Sequence, residues 1–263
     1  MSAGPRAAVP AGTAEVWWAR RQDAAPRHLA LLDETERRRW TAYRHDADRE
    51  RFLAGCALAK AVLARYAGLR PVDVRFDRTC GECGEPHGKP AMPGGSLEHS
   101  VAHSGDLVAV AVTGNPVGVD VEQLDGRAHP LGGDGDPEAL ARLVLSGAEQ
   151  AVLNAIPPAG RARAFLVAWT RKEAVTKATG DGLRAAFSEV VVADRAAVDG
   201  AAGDGAAGDG APRLASWPYP RDPRGVTLLD LDAAPGYLAA LAVLGPCEAV
   251  TARDGSTLLA ELV

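Results

Sequence analysis

In Val117-Gly118-Val119-Asp120-Val121-Glu122, two carboxylates stand at alternate positions of an apolar run. Side chains of a strand alternate between its faces, so Val117, Val119 and Val121 would enter a core while Asp120 and Glu122 project together on the other side. Two carboxylates on one face repel each other unless a cation lies between them. Oxygen-only ligation suits Mg²⁺, or Mn²⁺ in its place, because such an ion takes one or two carboxylates and completes its octahedron with waters and substrate phosphates. A solvent-facing acidic edge has the same spacing, so this motif by itself leaves both readings open.

A second group follows in Trp169-Thr170-Arg171-Lys172-Glu173-Ala174-Val175-Thr176-Lys177. On a helix, Glu173 shares a face with Trp169 and with Lys177. The plain readings are a core tryptophan and a surface Glu173–Lys177 pair contributing about 0.3–0.5 kcal/mol. Lysine usage argues for more. Only four of the 29 basic residues are lysines, Lys60, Lys89, Lys172 and Lys177, and two of them fall in this short stretch. Where arginine is the default, a compact ammonium suits a site that needs a flexible point charge; Lys60 alone is assigned to chance. A pair of ammonium groups beside a third carboxylate suits a pyrophosphate substrate, with Glu173 joining the metal shell and Lys172 and Lys177 neutralising phosphate oxygens.

Lys89 lies in His87-Gly88-Lys89-Pro90, where glycine lets the backbone approach a ligand and proline fixes the exit. Ala102-His103-Ser104-Gly105-Asp106 ends a predicted strand, and His103 there can serve locally or donate to a phosphate. Arg37, Arg38, Arg39, Arg44, Arg49 and Arg51 make the N-terminal helical region basic; most read as a solvated face, one or two as holders of a phosphomonoester. Cys80-x-x-Cys83 with His87 offers three of the four ligands that a structural zinc site normally takes, while Cys56 and Cys247 read as apolar filler.

These groups must be positioned by a mixture of helices and strands. Residues 28 to 66 read as helical, Val72 to Phe76 as a short strand and Cys80 to Gly95 as loop. Strands are expected near Ser100 to Ala102, Val108 to Val112 and Val117 to Glu122. After a turn-rich loop from Gly126 to Pro137, helices are expected near Pro137 to Leu145, Gly147 to Ala155 and Arg161 to Ala178, with Gly180 placed to stop the last. Phe187 to Ala193 and Gly225 to Leu231 read as strands, and Tyr237 to Leu244 as a strand or a short buried helix. Between them Gly200 to Pro212 is a Gly/Ala/Asp repeat with nothing apolar to anchor it, expected to be a disordered insertion. The order predicts an α+β protein of two similar halves, 1–115 and 116–263.

The paired motifs, Val117-Gly118-Val119-Asp120 with Glu122 and Trp169-x-x-Lys172-Glu173-Ala174-x-x-Lys177, resemble the large, surfactin-synthetase-activating (Sfp-type) class of 4'-phosphopantetheinyl transferases. Gly88-Lys89-Pro90, His103-Ser104-Gly105-Asp106 and Arg51-Phe52-Leu53-Ala54-Gly55 add to the resemblance. It implies two pseudo-symmetric α/β halves with coenzyme A in the cleft between them and Mg²⁺ on Asp120, Glu122 and Glu173. The residues it places on coenzyme A are Arg44, Arg51, Lys89, Pro90, His103, Ser104, Lys172 and Lys177, with Glu173, Lys177 and Lys172 as the catalytic set. The implied reaction moves the phosphopantetheine arm to a serine of an apo acyl or peptidyl carrier protein and releases 3',5'-ADP, with Glu173 as candidate general base. One departure is Ala102, where the family usually has serine; the change would remove one phosphate hydrogen bond.

Composition narrows the alternatives. At 263 residues and 47% hydrophobic, the chain can fill a core, and no stretch approaches the roughly 18 apolar residues of a membrane span. Four scattered cysteines fit a reducing compartment, and a net charge of -5 argues against a general nucleic-acid binder. A cytoplasmic monomer with no membrane or nucleic-acid partner is expected. Three competitors share the carboxylates or the cleft: a metal-dependent phosphohydrolase, a Ser-His-Asp hydrolase, and a non-catalytic coenzyme A or carrier-binding module. The second is disfavoured because no G-x-S-x-G elbow occurs, and adjacent His103 and Ser104 point to opposite faces of a strand.

Overall fold

The computed structural model describes residues 8–124, 137–194, 211–220 and 222–262. The two expected loops therefore lie outside the described residues, apart from Ala211 and the two terminal prolines, Pro137 opening a helix and Pro212 a strand. The architecture is α+β. Strand β1 (Thr13–Arg20) leads through 3-10 turns to α1 (Glu34–Ala42) and α2 (Asp46–Ala67), followed by β2 (Glu98–Ser104), β3 (Leu107–Thr113) and β4 (Val117–Gln123). Then come α3 (Pro137–Val144), α4 (Gly147–Ala155) and α5 (Pro158–Thr179), and after them β5 (Val191–Asp194), β6 (Pro212–Ser216), β7 (Thr227–Leu231) and β8 (Tyr237–Val243). The described chain closes with β9 (Ala249–Asp254) and α6 (Gly255–Ala260).

One sheet has the order β2-β3-β1-β9, a second β4-β8-β7, and β5 pairs with β6 as a ribbon. Pairing is antiparallel except between β1 and β9, which run parallel from Thr13 opposite Ala249 to Trp18 opposite Asp254. Alternation along the strands explains the layering. On β3, Val108, Val110 and Val112 pack with Ala54, Ala57, Leu58 and Val62 of α2. Ala109 and Ala111 instead meet Val117, Val119 and Val121 of β4 and Leu241 and Val243 of β8 across the middle. Ala240 and Ala242 face outward onto Ala174, Val175 and Ala178 of α5. The order of layers is thus helix, sheet, sheet, helix, and every residue of β3 is buried because both its faces are covered.

Several expected elements differ. The helical region near 28 to 66 is broken: Asp33 and Glu36 form a reciprocal capping box that starts α1, and Tyr43 and His45 are extended before α2. Val72 to Phe76 is not a strand; Pro71–Asp73 forms a 3-10 turn, Val74 enters the core and Phe76 stacks on His99. Phe187–Glu189 is likewise a 3-10 turn, and only Val191–Asp194 pairs as a strand. Tyr237–Val243 is a strand, held on both sides by β4 and β7. β1, β6, β9 and α6 were not expected. Lys60 is not a chance lysine: it is fully buried, 2.8 Å from Glu36 and bonded to the Leu31 carbonyl. No helix among the described residues is long and apolar enough to cross a membrane.

Candidate active site

β4 carries its acidic pair into the seam beside α5. Val117, Val119 and Val121 belong to the core between the sheets, and the opposite side of the strand presents Gly118, Asp120 and Glu122. Gly118 is where strand and helix touch: a Cβ added there would lie 1.9 Å from the Ala174 carbonyl oxygen and 2.5 Å from the Ala178 nitrogen. Only glycine fits this approach, which brings the carboxylates within reach of the helix.

Asp120 is 5% exposed, and its Oδ1 accepts a 2.7 Å bond from Lys177. Its Oδ2 is buried with no hydrogen-bond partner. Burial raises its pKa although Lys177 opposes the rise. Glu122 is held on both oxygens, Ser104 donating to Oε2 at 2.8 Å and the Trp169 indole to Oε1 at 3.2 Å. Burial, reinforced by the Asp120 charge, raises Glu122 to about 7. Glu173, one helical turn beyond Trp169, is 6% exposed and raised by burial to about 7, with Lys177 acting against the rise and Asp120 with it. Burial alone would lower the Lys177 ammonium; the charges of Asp120, Glu173 and Glu122 reverse this and hold it above its usual value. The surface Glu173–Lys177 pair is therefore not what forms, since Lys177 pairs with Asp120.

Two sequence assignments change. Lys172 is fully buried, and its Nζ donates to the Val144 carbonyl at 2.8 Å, Glu149 at 2.7 Å and the Phe187 carbonyl at 2.9 Å. All three donors are taken, leaving none for a phosphate or leaving group. Positions 172 and 177 lie about 140° apart around a helix, so only Lys177 shares the face of Glu173. Ser104, expected on coenzyme A, instead gives its hydrogen to Glu122 and accepts from the Gln123 amide at 3.1 Å. Ser100 does the same for the Val119 amide at 3.1 Å, so two serines four residues apart tie the edge of β2 to β4.

Beside this seam a cleft of about 430 Å³ is lined by Lys89, Pro90, His99, Ser100, Lys177 and Arg184, among others. Lys89 reaches the Ala178 carbonyl at 3.2 Å and Glu98 at 3.3 Å. His103 is solvent-exposed on the side of β2 that faces Gly55 of α2. The protein atoms crowding it, then Lys177, lower its pKa. Ala102 is buried on the other side of β2 in the core between the sheets. Arg51 donates to the Gly105 carbonyl at 2.9 Å and pairs with Asp48, while Arg44 is exposed between α1 and α2 with no contact joining it to the cleft among the described residues. Trp169 and Ser104, which orient Glu122, were legible as residues but not in that role.

The fit to a divalent cation rests on the partnerless Asp120 Oδ2 and on two further carboxylates whose charge burial disfavours. The three do not close on one point: among the described residues, the only His, Cys, Asp and Glu triple whose ligand atoms all lie within 4.8 Å is Cys80, Cys83 and His87. Mg²⁺ needs only one or two carboxylates with water and phosphate, so the acidic set fits it.

Residues 116–213, which contain β4 and α5, match the 4'-phosphopantetheinyl transferase superfamily. The 4'-phosphopantetheinyl transferase HetI of Nostoc sp. is 31% identical over 169 residues, 62% of this chain and 65% of the relative. Sfp of Bacillus subtilis, also a 4'-phosphopantetheinyl transferase, is 26% identical over 163 residues, 62% of this chain and 66% of the relative. AcpT of Escherichia coli K12, with the same activity in its name, is 34% identical over 133 residues, 50% of this chain and 58% of the relative. The chain thus spans a little under two thirds of the length of these relatives.

Proposed function

We propose that this chain transfers the 4'-phosphopantetheine arm of coenzyme A to a serine of an apo acyl or peptidyl carrier protein, releasing 3',5'-ADP. The observation that carries this reading is the seam itself, where the charges of Asp120, Glu122 and Glu173 act on Lys177, which together with Lys89 lines the adjoining cleft. The similarity of residues 116–213 to the superfamily supports it. The helix, sheet, sheet, helix order favours the larger, Sfp-type class, with halves 1–115 and 116–263 and with β9 and α6 contributed back to the first.

Asp120, Glu122 and Glu173 would hold Mg²⁺, which when bound neutralises charge on the pyrophosphate. Lys177 stands beside the phosphate being attacked and Lys89 along the nucleotide. The carrier serine oxygen forms a bond to the β-phosphorus, its proton passes to Glu173, and the bond to the 3',5'-ADP oxygen breaks. A carboxylate raised towards neutrality is matched to that proton transfer. His103, exposed on β2, donates to phosphate oxygen, and Arg51 borders it. Carrier docking falls on α3 and α4, where Leu143 is 73% and Val152 64% exposed although both are large and apolar. The deciding experiment incubates the protein with coenzyme A, Mg²⁺ and an apo carrier and weighs the carrier. A gain of one phosphopantetheine is expected; phosphate release without carrier would make it a phosphohydrolase, and neither outcome would leave only binding.

A further inference from the structure

The loop that carries Lys89 has an architecture of its own. Asp77 and Ala91 close its base through a pair of 2.8 Å backbone bonds. Within it Cys80 N donates to the Glu85 carbonyl at 2.8 Å, and Gly84 N to the Cys80 carbonyl at 2.9 Å. Gly84 takes φ 77, a left-handed conformation that glycine adopts without strain and that turns the chain directly after Cys83. The stretch from Cys80 to Lys89 contains no large apolar residue, so burial does not account for its defined shape. What it contains is two thiols and an imidazole, all ligand atoms lying within 4.8 Å of one another and Cys83 Sγ only 2.9 Å from His87 Nε2.

The surroundings of the sulfurs fit ligation. The backbone N–H groups of Cys83 and Glu82 are directed at Cys80 Sγ and lower its pKa to about 6. Arg184, from the turn after α5, adds a third donor at 3.1 Å and also reaches Glu82 at 3.3 Å. Donors directed at a sulfur stabilise thiolate charge and hold a ligand in place, as outer-shell partners do in metal sites. Cys80 is buried at 3% exposure, whereas Cys83 and His87 are exposed, which leaves one side of the triple open to solvent. With metal–sulfur bonds of about 2.3 Å and metal–nitrogen bonds of about 2.0–2.1 Å, a tetrahedron has edges of roughly 3.8 Å between sulfurs and 3.5 Å between sulfur and nitrogen. The Cys83–His87 spacing of 2.9 Å is shorter than the latter edge and the other two spacings are at most 4.8 Å, so ligation requires only side-chain adjustment.

We propose that Cys80, Cys83 and His87 bind a zinc ion through two thiolates and one imidazole nitrogen, with water completing the tetrahedron, and that this ion sets the shape of the loop presenting Lys89 to the cleft. Soft sulfur with nitrogen in tetrahedral array selects zinc over the oxygen-seeking ion of the acidic seam. Binding displaces to solvent any proton still held on either sulfur.

The test needs neither coenzyme A nor a carrier, so it is independent of the transfer reaction. The full chain is reduced, stripped with a chelator and, with excess Mg²⁺ present to occupy the acidic seam, titrated with Co²⁺ and, separately, Zn²⁺. One ion per chain is expected, with thiolate-to-cobalt charge-transfer absorption that ligation by carboxylates alone cannot produce. Cys83→Ser and His87→Ala, at exposed positions that leave the core intact, should each weaken zinc binding by more than about tenfold, while Cys247→Ser should leave it unchanged. Zinc should also raise the melting temperature of the stripped protein, and not of these two variants. A folded wild-type chain that takes up no stoichiometric zinc, or binding that survives both substitutions, overturns the proposal.

Discussion

Lys172 and Lys177 sit on one helix and serve different ends. Lys172 joins α5 to the end of α3, to the capping glutamate of α4 and to the turn before β5. Lys172→Ala would strip the largely buried Glu149 carboxylate of its cation, leaving it the Ser146 and Val192 amides, and would take a donor from the Val144 and Phe187 carbonyls, a loss of about 3–5 kcal/mol to be read from urea unfolding. Glu173→Gln keeps the volume but removes charge and basicity. It should leave the circular dichroism spectrum unchanged and lower kcat for carrier modification at least about a hundredfold; a folded variant of near-normal activity would remove Glu173 from the site. Its elevated pKa has a second consequence. Glu122 and Glu173 are raised by burial from 4.5 to about 7. Between those values the folded state holds more protons than the unfolded one, so stability falls as pH rises, by up to about 1.4 kcal/mol per pH unit for each proton. Melting in EDTA should therefore drop from about pH 5 to about pH 7.5, and Mg²⁺ should flatten the slope by taking the protons' place. Of the lysines, scarcity marked Lys89, Lys172 and Lys177 and left Lys60 to chance, and could not separate the cleft from the interior: Lys60 and Lys172 are fully buried ammonium groups with protein partners.

At the scale of elements, β4 and α5 define the seam because Gly118 lets them touch. Gly118→Ala would drive a methyl group into the α5 backbone, and the cost should reach or exceed the upper end of the ~1–3 kcal/mol usual for overpacking, seen as lost soluble expression or a sharply lower Tm. Leu143→Glu and Val152→Glu should raise KM for the carrier and leave coenzyme A affinity unaltered, since both side chains already face solvent; a change in coenzyme A affinity alone would move the docking face elsewhere. Asp194 and Pro212 are cross-strand partners, so a short turn in place of residues 195–210 should leave Tm and turnover nearly unchanged. The strands of the seam and the helices that follow were legible because alternation and three-to-four spacing are strong there. Val72 to Phe76 misled because its apolar residues alternate while one faces the core and another stacks on His99, with no neighbouring strand to pair. β1 and β9 escaped notice because β9 is mostly exposed and acquires its meaning only from a partner remote in sequence. The site was legible as carboxylates and lysines; Ser104 and Trp169 as the holders of Glu122 were not, since a side chain's partner across the fold leaves no local pattern.

For the molecule as a whole, the two sheets share one core, and Trp17, Val16 and Ala14 of β1 belong to both faces of it. Unfolding by urea should accordingly be a single transition in which tryptophan fluorescence and circular dichroism coincide; two separated transitions would mean that the halves are independent. The parallel pairing of Thr13–Trp18 with Ala249–Asp254 also bears on biosynthesis. A ribosome adding about 5–20 residues per second needs on the order of tens of seconds to travel from one strand to the other. Throughout that interval the edge of β1 has no β9 to cover it, and Leu259 has not yet filled its place beside α2. Unpaired strand edges recruit other chains, so this nascent polypeptide depends on being shielded until translation has passed α6, and slow codons late in the message would lengthen its exposure to aggregation.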